Sequence, residues 1–153
     1  MANSYHQIYI QAVFAVKHRE AIISPSFENN LYSVVSSLIN ESGCNTILVN
    51  GTENHIHCFF KLKPTIAISK LMQVVKSNSS RFINENSFTA RRFEWQDGYG
   101  AFGYGHSQVS DVYQYIKNQK LHHQKILFID EYQACDAKYH PDHLVQGKTV
   151  PVE

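Results

Sequence analysis

The hydrophobic period changes along the chain, and the order of those changes restricts the fold more than any other feature. From Gln7 to Val16 the period is two. Ile8, Ile10, Ala12, Phe14 and Val16 share one side and Gln7, Tyr9 and Gln11 the other, the pattern of a half-buried strand. Ser24-Pro25 then predicts a helix start, with Ser as cap and Pro in the first turn. Phe27, Leu31, Val34, Val35, Leu38 and Ile39 follow at helical spacing, and Gly43 is expected to close the helix in the left-handed conformation. Residues 44–50 read as a second strand around Thr46-Ile47-Leu48-Val49, Asn50-Gly51 as a hairpin turn, and residues 54–62 as the return strand, ended by Pro64. A second helix is predicted from about Ile66 to Asn84 on the stripe Ile68, Leu71, Met72, Val75, Phe82 and Ile83.

The segment Phe93–Tyr104 is aromatic and glycine-rich, and reads as a strand or extended stretch that bends near Gly98. Ser107 or Ser110 can cap a third helix reaching about His122. A short helix is predicted over 126–138, with a polar tail after Pro141. The resulting order is β-α-β-β-α-β-α. Its first six elements are those of the split βαβ, ferredoxin-like unit, so the expected class is α+β: an antiparallel sheet with helices, plus a C-terminal helix. One domain over 1–140 and a tail over 141–153 follow from the 153-residue length. That fold hosts many functions and supplies none by itself.

Composition removes several classes. With 43% hydrophobic and 12% aromatic residues the chain is not a disordered one, and four Pro with seven Gly exclude collagen-like sequence. No apolar run approaches the roughly 18 residues that span a bilayer. Met1–Gln7 lacks the basic and apolar regions of a signal peptide, so a cytoplasmic protein with no membrane partner is expected. Fourteen Lys and Arg against thirteen Asp and Glu leave a formal +1, without the global basic signature of a nucleic-acid binder. Cys44, Cys58 and Cys135 show no Cys-x-x-Cys spacing and read as buried thiols in a reducing compartment.

Three residue groups could carry chemistry. In His55-Ile56-His57, residues two apart on a strand point to one face, so His55, His57, Phe59 and Lys61 oppose Ile56, Cys58, Phe60 and Leu62. Imidazoles roughly 7 Å apart along a strand can close on one divalent ion. Taken alone, the pair reads equally as two partly exposed strand histidines. The second group is Tyr115-Ile116-Lys117-Asn118-Gln119, beside the apolar stripe Val109, Val112, Tyr113 and Ile116. Tyr115 and Gln119 stand four apart, one turn above the other, and His122 continues the strip. Taken alone, Tyr115 reads as a side chain at the core edge. A phenol with an ordinary pKa near 10 needs a Lewis acid beside its electrophile to act as a nucleophile. A metal held by His55, His57 and the Gln119 amide oxygen would sit one helical turn from the Tyr115 hydroxyl, and a phosphodiester is the natural electrophile.

The third group is basic and aromatic. Lys70, Lys76, Arg81, Arg91, Arg92, Lys117 and Lys120 could meet phosphates, while Trp95, Tyr99, Phe102 and Tyr104 could stack on unpaired bases. The competing reading is a solvated basic face over a packed aromatic core. His122 and His123 point about 100° apart on a helix and rarely chelate together, so they read as phosphate contacts or helix-end charges. No GxxxxGK[ST], GxSxG or HExxH pattern occurs, which leaves nucleotide hydrolase, serine hydrolase and zinc protease readings unsupported.

Together these residues resemble the single-tyrosine HUH transposases of the smallest bacterial insertion sequences, the IS-two-hundred-like group. The resemblance runs from about Tyr5 to Tyr139. It rests on the opening strand, on Gly51-Thr52-Glu53-Asn54-His55-Ile56-His57-Cys58, on Leu71–Ser77, on Phe93–Tyr99, and on Tyr115–Gln119 with His122-His123. The resemblance implies a ferredoxin-like homodimer that cuts and rejoins single-stranded DNA at hairpin-bearing element ends. His55 and His57 match the paired histidines, Tyr115 the nucleophile and Gln119 the third metal ligand. Mg²⁺, or Mn²⁺ in vitro, is the implied cofactor, and no nucleotide cofactor is needed because each step exchanges one phosphodiester for another. In the family the tyrosine helix of one subunit can complete the site of the other. Asn54 departs from the Asp that many members carry, at a position that is not a family ligand. The alternatives are a non-catalytic single-strand or RNA-binding module on the same fold, and a domesticated relative processing chromosomal hairpin repeats.

Overall fold

Strand β1, Tyr9–Ala15, is central in a four-stranded antiparallel sheet of order β2-β3-β1-β4, with β2 at Asn45–Gly51, β3 at His55–Lys61 and β4 at Gly100–Tyr104. The computed structural model describes residues 4–123, and the predicted helix over 126–138, the tail over 141–153 and Cys135 lie outside them. Helices α1, Glu28–Glu41, and α2, Ile68–Glu85, complete the β-α-β-β-α-β order of the ferredoxin-like unit. A further helix α3, Val109–Lys117, follows β4 through a single 3-10 turn, His106–Gln108, and a short helix α4, Gln119–His123, comes next.

The sheet is covered on both faces. Ile10, Ala12 and Phe14 of β1 and Ile56, Cys58 and Phe60 of β3 pack with Leu31, Val35 and Ile39 of α1 and Leu71, Met72 and Val75 of α2. On the other face, Tyr9, Val13 and Phe59 pack with Val112 and Ile116 of α3. This corrects the reading of residues 7–16 as half-buried: every residue of β1 is buried, because α3 closes the side that alternation assigned to solvent. The histidines of β3 are buried for the same reason, His55 completely and His57 to within 2%.

Several boundaries differ from expectation for local reasons. Ser24 does not cap α1. Its hydroxyl accepts from the Ser26 amide (3.2 Å), and the helix starts at Glu28 after Phe27, which has extended φ (−130°). Gly43 does close α1 with φ +97°, a conformation that side-chain-bearing residues seldom adopt. The β2–β3 hairpin turns one step later than Asn50-Gly51. Both residues belong to the ladder, Asn50 opposite His57 and Gly51 opposite Ile56, and the turn is closed by the Thr52 amide donating to the His55 carbonyl (2.9 Å). Gly51 is required by close approach rather than by positive φ, since a Cβ there would meet the His55 carbonyl and stand 2.8 Å from the Ile56 Cα. The third helix breaks at Asn118 (φ −95°, ψ 19°) and does not run on to His122.

Candidate active site

The face of the sheet under α3 holds a buried polar cluster. His55 and His57 project from β3 on the side of Phe59, with ring centroids 5.1 Å apart at a steep tilt. The Nδ1 of His55 lies 2.7 Å from Oδ1 of Asn54 and 3.0 Å from the Thr52 hydroxyl, which itself donates to the same Asn54 oxygen at 3.0 Å. The Nδ1 of His57 lies 2.8 Å from Nε2 of Gln11, and Oε1 of Gln11 accepts from the Tyr104 hydroxyl at 2.7 Å. Both imidazoles are thus held through Nδ1, and Nε2 of each is buried.

Tyr115 reaches this cluster within the same chain. The Tyr115 ring meets the His57 ring edge-on, centroids 6.1 Å apart, and is half-buried. Gln119 is fully buried. Its Nε2 donates to the Tyr115 carbonyl (3.3 Å), while its Oε1 has no hydrogen-bond partner among the described residues. A buried carboxamide oxygen left in that condition costs about 1–3 kcal/mol, so such an atom invites a ligand.

Two anchors set that helix in place, and sequence reasoning missed both. Asn50, read as a turn residue, uses Nδ2 to cap the end of α3, donating to the carbonyls of Ile116 (2.9 Å) and Lys117 (3.2 Å). Because Asn50 is also the cross-strand partner of His57, this cap ties the Tyr115 helix to the histidine pair. Lys120, expected to meet phosphate, instead reaches back over β2. Its Nζ donates to the Gly51 carbonyl (3.3 Å) and to Asn50 Oδ1 (3.4 Å), pairs with Glu28 of α1 (3.5 Å), and lies 5.8 Å from the Tyr32 ring centre. Burial, and after it the Glu28 carboxylate, push the Tyr32 phenol above its ordinary pKa, so it stays neutral beside that lysine.

The remaining nucleic-acid candidates divide sharply. Trp95 is core: 7% exposed, it donates its indole N–H to Ser79 (2.9 Å) and packs edge-on against Phe14 and Phe93, so its ring offers no free face to a base. Phe102 and Tyr104 are buried under α3, and Tyr99 is half-buried against the other core. The ammonium of Lys76 donates to the carbonyls of Gln96 and Gly98, both at 2.7 Å. Burial lowers its pKa, and the Asp97 carboxylate works in the opposite direction. Lys70, Arg81, Arg91, Arg92 and Lys117 are exposed; Arg81 binds Asn78 Oδ1 (2.6 Å) and Arg91 pairs with Glu20 (3.3 Å). The arginines at 81, 91 and 92 line an open groove of about 940 Å³ beside α2, on the α1–α2 side of the sheet. His122 and His123 fall within α4, and their side chains lie outside the described set.

Cys44 and Cys58 are free and buried, and burial pushes the Cys58 thiol well above the usual range, which leaves it inert. Among the described residues no three His, Cys, Asp or Glu side chains cluster. No helix among them is long and apolar enough to cross a membrane.

No curated protein matches the chain. Among solved structures, a protein described as a transposase from Deinococcus radiodurans R1 superposes with a TM-score of 0.63 at 14% identity, covering 78% of this chain and 95% of its own. A REP-associated tyrosine transposase bound to a REP hairpin superposes with a TM-score of 0.61 at 11% identity, covering 99% of this chain and 88% of its own. At such identities the likeness establishes a common fold. The sequence itself matches the family model described as "Transposase IS200 like" over residues 4–119, a span that holds the histidine pair, Tyr115 and Gln119. The chain belongs to the IS200-like transposase family.

Proposed function

We propose that this transposase cleaves and rejoins single-stranded DNA by transesterification, with Tyr115 as nucleophile and His55, His57 and Gln119 as the cation ligands. The observation that carries the reading is the arrival of Tyr115, from beyond β4, at the face of β3 that bears both imidazoles, with the Tyr115 and His57 rings 6.1 Å apart.

The donor set fits a divalent cation. Two imidazoles whose Nδ1 atoms are held by neighbours, plus a buried carboxamide oxygen lacking a hydrogen bond among the described residues, suit Mn²⁺, or Mg²⁺ with water and phosphate oxygens completing its shell. Bound there, the cation supplies Lewis-acid polarisation of a phosphoryl oxygen. The chain's own residues do the rest. Asn50 holds the Tyr115 helix, and Lys120 the short helix that follows it, against β2. The Tyr115 oxygen attacks the scissile phosphorus in line: a tyrosyl O–P bond forms, the P–O3′ bond breaks, and the phenol proton ends on the departing 3′ oxygen. The 5′ phosphate remains on Tyr115. A 3′ hydroxyl from a second DNA end then attacks that phosphotyrosine, restores the phenol and seals the junction. Each bond broken is matched by one of similar energy formed.

DNA carrying hairpin ends is the proposed partner, as a REP hairpin is for the structural neighbour. The exposed Arg81, Arg91, Arg92, Lys70 and Lys117 are the proposed phosphate contacts, and a homodimer in a cytoplasmic setting is the proposed form. The test uses Tyr115→Phe with single-stranded element ends and Mg²⁺. The unaltered protein should form a covalent DNA adduct that resists denaturing electrophoresis, and Tyr115→Phe none. An adduct with the variant would remove Tyr115 from the mechanism.

A further inference from the structure

The two histidines are held by different atoms. His55 Nδ1 faces a carboxamide oxygen, Oδ1 of Asn54, at 2.7 Å, and an oxygen without hydrogens can only accept. His55 therefore carries its proton on Nδ1 and keeps the lone pair of Nε2 for a cation. His57 Nδ1 faces a carboxamide nitrogen, Nε2 of Gln11, at 2.8 Å. An amide N–H donating to Nδ1 places the proton of the neutral ring on Nε2, the atom that would have to ligate. As it stands, one imidazole of the pair is in the ligating tautomer and the other is not.

The wiring behind His57 permits an exchange. Gln11 and Tyr104 are buried on the same sheet face, Gln11 lying opposite Phe59 on β3 and opposite Phe102 on β4. The Tyr104 hydroxyl donates to Gln11 Oε1 at 2.7 Å, and a phenol can either donate or accept. We propose that Gln11 is a positioning residue that sets the tautomer of His57, and that cation capture is coupled to a half-turn of its carboxamide. After the half-turn, Oε1 accepts from Nδ1–H of His57, and Nε2 donates to the Tyr104 oxygen. The ring proton passes from Nε2 to Nδ1 by way of solvent, and the imidazole stays neutral throughout. Outer partners of this kind fix ligand orientation, and their loss typically weakens metal binding about 10–100-fold.

The inference rests on the metal reading above, and its test separates the two. Mn²⁺ binding to the full chain is measured by electron paramagnetic resonance of the free ion, for the unaltered protein, His55→Ala, Gln11→Met and Gln11→Glu. A carboxylate at position 11 only accepts, so Gln11→Glu should keep or tighten binding, whereas Gln11→Met should weaken it about 10–100-fold. Long-range ¹H–¹⁵N correlation spectra of the unaltered protein should show the His57 proton on Nε2 without cation and on Nδ1 in saturating Mg²⁺. If Gln11→Met binds Mn²⁺ as tightly as the unaltered protein while His55→Ala does not, the role of Gln11 is overturned and the metal site stands. If the unaltered protein and His55→Ala bind equally poorly, both ideas fall. Should either Gln11 variant fail to fold, the spectra decide alone: a His57 proton on the same nitrogen in both states overturns the proposal.

Discussion

The two faces of the sheet bury similar strands under helices, yet they are made of different material. Toward α1 and α2 the interior is hydrocarbon and aromatic rings, and its one fully buried polar side chain on α2, Ser79, is matched to the indole of Trp95. Toward α3, the apolar patch of Tyr9, Val13, Phe59, Val112 and Ile116 borders Gln11, His55, His57 and Gln119, all buried. Burying polar groups is costly unless each atom finds a partner, and on this face Gln119 Oε1 finds none among the described residues. One face supplies stability and the other spends part of it to keep a set of ligands dry and fixed, a pattern expected of functional sites.

Substitutions can break or sharpen that contrast. The largest effect belongs to the polar face: His57→Ala should abolish cation-dependent strand cleavage while the protein stays folded and still shifts hairpin DNA in a gel. Cleavage surviving in that variant, or undiminished in chelator, would favour the non-catalytic binding module. On the apolar face, Phe14→Ala removes a fully buried ring that packs edge-on against Trp95, and should cost about 3–5 kcal/mol in urea unfolding. A loss well below that would mean the α1–α2 core is not the main source of stability. Gln119→Leu should act in the opposite sense, stabilising the metal-free protein by about 1–3 kcal/mol because an unsatisfied oxygen disappears, and at the same time weakening Mn²⁺ binding. A destabilised variant would show that the carboxamide serves the fold. The smallest effect is expected from Lys120→Met, about 1 kcal/mol or less in stability because the lysine is half exposed, with slower cleavage as the Gln119 segment loosens. Unchanged cleavage would leave the Asn50 cap as the sole anchor of that helix.

Much of this was legible in the chain before any coordinates. The periods of two and 3.6 locate every major element through β4, and the parity of β3 puts His55 and His57 on one side and Ile56, Cys58 and Phe60 on the other, as observed. What escaped has identifiable causes. Trp95 and Lys76 looked available to DNA because aromatic and basic residues in a glycine-rich stretch show no period; their partners, Ser79 and the carbonyls of Gln96 and Gly98, appear only when that stretch folds over α2. Asn50-Gly51 carries a strong turn signal, but the ladder continues through it, since Gly51 is needed for close approach to His55 and Asn50 to cap a helix more than sixty residues away.

The sequence alone determined the α+β order and the burial side of each helix, because helix and strand periodicity are local properties of neighbouring side chains. Only the tertiary structure decided that the Tyr115 ring stands 6.1 Å from that of His57 within one chain, that α3 buries the second face of the sheet, and that Gln11, Asn54 and Tyr104 stand behind the imidazoles. Those meetings depend on strand register and helix docking, where a shift of one residue would turn every side chain to the other face, and no local pattern encodes which distant partner is chosen.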